Sequence, residues 1–133
     1  MKLTSLASVL PLLIGVAFPL SASAAPGYSG TYNLTSTTGS GTISVTITRR
    51  VIQYGFECKA VLDGQRYLCN GITKTPGKLY LNFFRLDASY NQKLFASIDG
   101  DVNGVTVTGP INFTKLYKLH PNESGIAIVQ FHN

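Results

Sequence analysis

Apolar residues in this chain recur at every second position, the pattern of a β-strand with one face buried and the other in water. The segment 41–48 shows the pattern most clearly. There Ile43, Val45 and Ile47 alternate with serine and threonine. Helical spacing of apolar residues is almost absent beyond residue 25. The sequence therefore predicts an all-β protein built from antiparallel strands.

About eight strands are predicted, and short segments rich in glycine, proline, asparagine and aspartate connect them. The expected strands are Tyr28–Thr35, Gly41–Thr48, Val51–Leu62, Gln65–Thr73, Lys78–Leu86, Lys93–Val102, Val105–Lys118 and Gly125–Phe131. Hairpin connections without long crossovers favour a meander that closes into a small barrel, because closure removes exposed strand edges. A sandwich of two β-sheets is the alternative.

Two features interrupt the regular alternation. The apolar residues change from odd to even positions around Arg49 and Arg50, which predicts a turn or a bulge there. Pro110 lies within a predicted strand. Because proline cannot donate a ladder hydrogen bond, we expect an edge or a bulge at this position.

The first 24 residues are predicted to be a cleaved signal peptide. Lys2 supplies the positive end, the segment 3–20 is apolar, and Ala22-Ser23-Ala24 is a small-residue cleavage pattern. Two prolines and a glycine interrupt the apolar segment, which disfavours a membrane-spanning helix. The mature chain is then residues 25–133, a single all-β domain without a membrane span that is secreted or periplasmic.

Asp63-Gly64 predicts a two-residue hairpin turn, because a tight turn of this kind needs positive φ angles. Counting outward from the turn places Cys58 directly opposite Cys69, in a pair of the wider, hydrogen-bonded kind. Paired residues bring their Cα atoms close to the range that a disulfide spans, and an exported protein meets oxidising conditions. A Cys58–Cys69 disulfide is therefore predicted, with two buried free thiols as the alternative.

Charge and catalytic residue types limit the function. Removal of Lys2 leaves ten basic and six acidic residues. This mild excess favours acidic partners such as anionic polysaccharide or lipid headgroups, and it is not a nucleic-acid-binding signature. An enzyme is not expected, because a Ser-His-Asp site would have to depend on His120 alone. No carboxylate pair points to glycoside hydrolysis.

A candidate calcium site begins at Asp99, since Asp99, Asp101 and Asn103 have the spacing of alternate oxygen ligands in a calcium loop. Gly104 would permit the turn that follows. The glutamate that closes such a loop belongs at position 110, where this chain has proline.

A β-hairpin accounts for the same segment without a missing ligand. With Asn103-Gly104 as a two-residue turn, Val102 pairs with Val105 and the apolar residues stay on one face. The hairpin is therefore favoured over the calcium site, and no other cofactor is expected.

Two stretches of the chain resemble parts of avidin- and lipocalin-like barrels. The first is Gly30-Thr31-Tyr32 followed by Gly41-Thr42-Ile43-Ser44-Val45-Thr46, and the second is Thr108–Lys115. The resemblance implies an eight-stranded meander barrel. It also argues against biotin as a ligand, because the family walls its biotin site with tryptophans and this chain has none.

An eight-stranded barrel is just wide enough to be filled by its own side chains or to hold one small ligand. The bulky side chains predicted to point inward include Tyr54, Phe56, Tyr67, Phe83 and Phe113. The sequence therefore predicts a small, disulfide-containing binding module that acts through its loops or outer surface. A carrier of a small apolar ligand and an inhibitor of a secreted hydrolase are the alternatives, although like charge disfavours strongly basic targets.

Overall fold

The computed structural model describes residues 25–36, 39–51, 53–73 and 75–133. The predicted signal peptide lies outside these residues, so its cleavage stays a prediction. The described strands are β1 (Gly27–Leu34), β2 (Ser40–Val51), β3 (Gly55–Leu62), β4 (Gln65–Ile72), β5 (Lys78–Leu86), β6 (Gln92–Asn103), β7 (Thr106–Phe113) and β8 (Ser124–His132). The prediction of an all-β fold is confirmed. In this part of the chain, no helix is long and apolar enough to cross a membrane.

The eight strands form an antiparallel meander that closes into a barrel through pairing of β1 with β8. In this closing pair Gly30 lies opposite Val129. A Cβ atom on Gly30 would lie 2.0 Å from the backbone oxygen of Ile128, so only glycine permits this close approach. Each described strand thus has a neighbour on both sides, which confirms the barrel and excludes the sandwich.

The barrel interior is filled by its own side chains. Phe56, Tyr67, Phe83 and Phe113 are buried, as predicted, and Tyr32 and Leu62 are completely buried beside them. The prediction for Tyr54 is wrong, because half of this side chain is exposed. β2 continues to Val51, so the chain reverses at residues 53–54 and Tyr54 lies in the turn.

The central hairpin has the predicted geometry. Asp63 and Gly64 have φ angles of 49° and 82°, and Cys58 pairs directly with Cys69. The two cysteines form a disulfide with their Cα atoms 4.7 Å apart. This distance is below the roughly 5.5 Å of an ordinary hydrogen-bonded pair, so the strands approach each other more closely at the bridge.

The predicted bulge near Arg49 is confirmed, since the register of β2 against β3 shifts between Ile47 and Arg49. The edge predicted at Pro110 is wrong, because a closed barrel offers no edge and Pro110 lies within β7 opposite Ile126. On its other side, the β6–β7 pairing is interrupted between Ile98 and Asp101 and resumes in the same register, so the irregularity is a gap in the ladder and not a bulge. The ladder thus accommodates a residue that lacks an N–H.

The β6–β7 hairpin exists, but its turn lies one residue later than predicted. Asn103 pairs with Thr106 and Val102 pairs with Val107, which leaves Gly104 and Val105 as the turn. Gly104 has a φ of 62°, as glycine has at the first central position of a type II′ turn. The pairing shifts by two residues, so each side chain keeps its predicted face.

The strand predicted at Val105–Lys118 is too long. β7 ends at Phe113, and residues 114–123 form a loop. The hydroxyl of Thr114 donates a hydrogen bond to the backbone oxygen of Leu94 over 2.7 Å and accepts one from the backbone N–H of Leu116. These bonds turn the chain away from the β-ladder.

Candidate binding cleft at the barrel mouth

Four connections meet at one end of the barrel, which we call the mouth. They join β1 to β2, β3 to β4, β5 to β6 and β7 to β8. Successive antiparallel strands reverse direction, so alternate connections share an end. The mouth therefore includes the Asp63-Gly64 turn and the loop 114–123.

The loop 114–123 folds inward and places Tyr117 over the barrel core. Tyr117 is only 3% exposed. Its ring lies 4.4 Å from the ring of Phe113 and 6.2 Å from that of Tyr67, measured between centroids. The backbone N–H of Tyr117 donates to the oxygen of Thr114. This loop thus closes the mouth over the aromatic interior.

The carboxylate of Asp63 joins this loop to two strands. Its Oδ2 atom accepts hydrogen bonds from the hydroxyls of Tyr32, over 2.5 Å, and Tyr117. Its Oδ1 atom accepts a hydrogen bond of 3.0 Å from the backbone N–H of Thr42. A Cβ atom at position 41 would lie 1.9 Å from this same Oδ1, so Gly41 makes room for the carboxylate. One turn residue therefore connects β1, β2 and the loop.

Both tyrosines that bind Asp63 resist ionisation. Burial is the main cause that raises the pKa of Tyr32, and the hydrogen bond to the Asp63 carboxylate raises it further. The same two causes, in the same order, raise the pKa of Tyr117. Both phenols therefore remain hydrogen-bond donors to Asp63 throughout the neutral range.

Arg85 covers the aromatic rings at the edge of the mouth. Its guanidinium carbon lies 4.5 Å from the ring centroid of Tyr67 and 5.4 Å from that of Phe95. Its Nε and Nη2 atoms donate to the backbone oxygen of Arg66 at 3.2 and 3.1 Å, and Nη2 also contacts the side-chain oxygen of Gln65. All these partners are neutral, so the positive charge of Arg85 is held in place without being neutralised.

A cleft of about 630 Å³ opens beside Arg85. Its walls include Gln65, Arg85, Leu116, Lys118 and Leu119. The only carboxylate among the lining residues is Asp63, whose oxygens accept hydrogen bonds from three neutral donors and which therefore keeps its negative charge. The size suits a small ligand, and the two cations Arg85 and Lys118 exceed this one carboxylate by one positive charge.

His120, which is part of the loop 114–123, lies among aromatic rings. Its ring centroid is 6.4 Å from those of Tyr32 and Tyr117, and 6.2 Å from that of Phe113. Its Nδ1 atom is 3.7 Å from an oxygen of Glu123. The histidine thus contributes to the packing of the mouth.

The candidate calcium ligands lie elsewhere on the barrel, along β6. Alternate residues of an extended strand lie on one face, about 6.6 Å apart, and the carboxylates of Asp99 and Asp101 meet at a cation of the protein itself. The ammonium of Lys78 lies 3.2 Å from an Asp99 oxygen and 2.9 Å from an Asp101 oxygen. No group of three or more His, Cys, Asp or Glu side chains within the described residues is placed to hold a metal ion.

Tyr32, Arg85 and Tyr117 are not among the site residues predicted from the sequence. A usable signal exists for Arg85, because it continues the inward-facing row of Leu81 and Phe83 at the end of β5. A charged residue at such a position must lie at the barrel rim. Tyr117 carries no comparable signal, since it was placed within a predicted strand.

Comparison of the chain with protein-family models, with curated proteins and with solved structures finds no match. The resemblance to avidin- and lipocalin-like barrels therefore extends to the architecture alone, an eight-stranded antiparallel meander barrel.

Proposed function

We propose that this protein is a secreted or periplasmic binding module that recognises an acidic ligand at the mouth of its barrel. The observation that carries the proposal is the environment of Arg85. Its guanidinium is stacked over two rings and hydrogen-bonded to neutral oxygens only. Because these contacts order the side chain before a ligand arrives, binding an anion costs little further conformational entropy.

The filled interior favours recognition outside the barrel over transport of an apolar ligand within it. Tyr32, Phe83 and Leu62 are less than 2% exposed and occupy the space that a carrier would keep for its ligand. Interiors packed in this way tolerate added volume poorly. A ligand is therefore expected at the mouth, on a rigid frame.

The chemistry of the cleft favours binding without catalysis. General acid–base catalysis needs a group that can exchange a proton with a reacting atom. The Asp63 carboxylate is instead committed to two buried phenols and a backbone N–H. The disulfide supports an oxidising compartment, in keeping with the predicted export.

The test is a titration of the protein, expressed as the full chain, with tetraglutamate, followed by amide NMR shifts. We expect shifts concentrated at Gln65, Arg85 and Lys118, and an affinity that falls as salt shortens the screening length. Arg85→Gln should weaken binding by about tenfold or more, since it removes a charge-assisted contact. Tetralysine should cause no such shifts.

The matched control is Arg49→Gln. This substitution removes the same charge at the opposite end of the barrel, from an exposed ion pair with Glu57 that contributes little to stability. If Arg85→Gln and Arg49→Gln weaken tetraglutamate binding equally, the effect depends only on the net charge of the protein, and the proposal is overturned. Absence of shifts at the mouth would overturn it as well.

A further inference from the structure

Arg85 borders three adjoining hollows. The first is the mouth cleft. The second, of about 580 Å³, lies on the outer face of the barrel beside Lys59, Arg66 and Leu68. The third, of about 440 Å³, lies beside Lys115. Since Arg85 lines all three, they form one continuous surface, which we call the Arg85 track.

The Arg85 track carries an unneutralised positive charge. Its five cations without an ion-pair partner among the described residues are Lys59, Arg66, Arg85, Lys115 and Lys118. The track also contains two carboxylates, Asp63 in the mouth cleft and Asp87 in the third hollow, and Asp87 lies 3.7 Å from Lys93. With Lys93 included, six cations face two carboxylates. The track therefore attracts an anionic partner.

Exposed leucines lie between these cations. Leu68 is 40% exposed and pairs directly with Lys59 across the β3–β4 ladder. Leu86 is 44% exposed and lines the second and third hollows. Leu119 is 61% exposed beside Lys118. An occupant that covers this surface must bring apolar groups as well as negative charge.

From this combination we propose that the Arg85 track binds a segment of a partner protein that carries both acidic and apolar side chains. The inference rests on the proposed function and extends the ligand from the mouth to the outer wall. An anionic polysaccharide fits less well, because it brings no side chains for the leucines and the rings of Tyr67 and Phe95 are already covered by Arg85. Recognition must use side chains, since the closed barrel offers no free edge for strand addition.

The test compares three probes of equal charge on the full-chain protein, by fluorescence anisotropy. They are a twelve-residue peptide of glutamate and leucine, a peptide with serine in place of leucine, and an oligogalacturonate. We expect the leucine peptide to bind about tenfold more tightly than the serine peptide, which corresponds to burial of one leucine side chain. Equal affinity of the two peptides, or tighter binding of the oligogalacturonate, would overturn the inference.

Two substitutions locate the contact on the outer wall. Leu68→Ser and Lys59→Gln should each lower the affinity for the leucine peptide about fivefold or more. The NMR shifts that tetraglutamate causes at the mouth should stay unchanged. The control is Ile128→Ser, which removes a side chain that is 49% exposed on β8 and does not line the track. If Leu68→Ser leaves binding of the leucine peptide unchanged while tetraglutamate still binds at the mouth, the inference is refuted and the proposed function stands. If the unmodified protein does not bind tetraglutamate, both the proposed function and the inference are refuted.

Discussion

The hydroxyl of Tyr117 donates a hydrogen bond to the carboxylate of Asp63, which lies 54 residues earlier in the chain. The same carboxylate binds Tyr32 and the backbone of Thr42. The Asp63-Gly64 turn thereby anchors the loop 114–123, the longest loop of the mouth, to strands β1 and β2. The shape of the cleft depends on this junction, because Tyr117 is part of its wall.

Asp63→Asn should lower the free energy of unfolding by about 1–2 kcal/mol, because hydrogen bonds to a charged acceptor are stronger than those to a neutral one. Asparagine accepts the positive φ of this turn as readily as aspartate, so the change tests the carboxylate and not the backbone. Urea unfolding measures the difference. Tyr117→Phe is the companion variant. If the stability losses of Asp63→Asn and Tyr117→Phe simply add in the protein that carries both substitutions, the two residues do not act as one junction.

Alkaline pH should destabilise the protein. The raised pKa values of Tyr32 and Tyr117 mean that the folded state keeps two protons which the unfolded chain loses near pH 10. Stability is therefore fully present below pH 10 and falls as pH rises above it, by about 1.4 kcal/mol per pH unit for each such tyrosine.

Urea unfolding at pH 9 and pH 11 measures this fall. Tyr117→Phe should make the decrease in the free energy of unfolding between these pH values smaller by the contribution of one tyrosine. Tyr90→Phe, at a site that is 82% exposed, should leave this decrease unchanged. An identical pH dependence in all three proteins would contradict the role of Tyr117.

Loss of the Cys58–Cys69 disulfide should cost roughly 3 kcal/mol of stability by the chain-entropy estimate for a loop of this size. A small barrel with a limited core depends on such a bond. Urea unfolding with and without reductant measures the difference. Thiol labelling of the unfolded, unreduced protein should find no free cysteine, and two labelled thiols would contradict the hairpin register.

Ile47→Asp should prevent stable folding, because Ile47 is 5% exposed and an unpaired carboxylate would enter the core. Thr46→Asp, on the opposite face and across from Lys59, should change stability by no more than about 0.5 kcal/mol. Circular dichroism during thermal unfolding distinguishes the two. Equal damage from both substitutions would mean that β2 is buried on both faces.

Calcium at about 10 mM should leave the melting temperature unchanged, because Lys78 already binds both carboxylates of the candidate site. This concentration exceeds the dissociation constants of the weakest extracellular calcium sites, so even a weak site would respond. Thermal melting with and without the ion gives the answer. A rise that Asp101→Asn abolishes would restore the calcium loop.

The sequence by itself determined which face of each strand is buried and how the central hairpin pairs. The buried face follows from the alternation of side chains along a strand, which has a period of two whichever strands lie beside it. The pairing of Cys58 with Cys69 follows from the short turn at Asp63-Gly64, which fixes the register locally. Ends of strands were less predictable. Tyr54 and Tyr117 continue the apolar alternation of their predicted strands. Yet β3 begins only at Gly55 and β7 ends already at Phe113, because where a strand begins or ends depends on its contacts with neighbouring parts of the chain.

Only the tertiary structure decided how the barrel closes and what meets at its mouth. Closure brings Gly30 opposite Val129, and the loop after β7 brings Tyr117 to Asp63. Neither contact has a signal in the local pattern, since it depends on how eight strands are staggered around one axis. The charge of Arg85 is visible in the sequence, but its availability to a ligand is not. That depends on which carboxylates lie beside it after folding, and the folded chain surrounds it with rings and neutral oxygens.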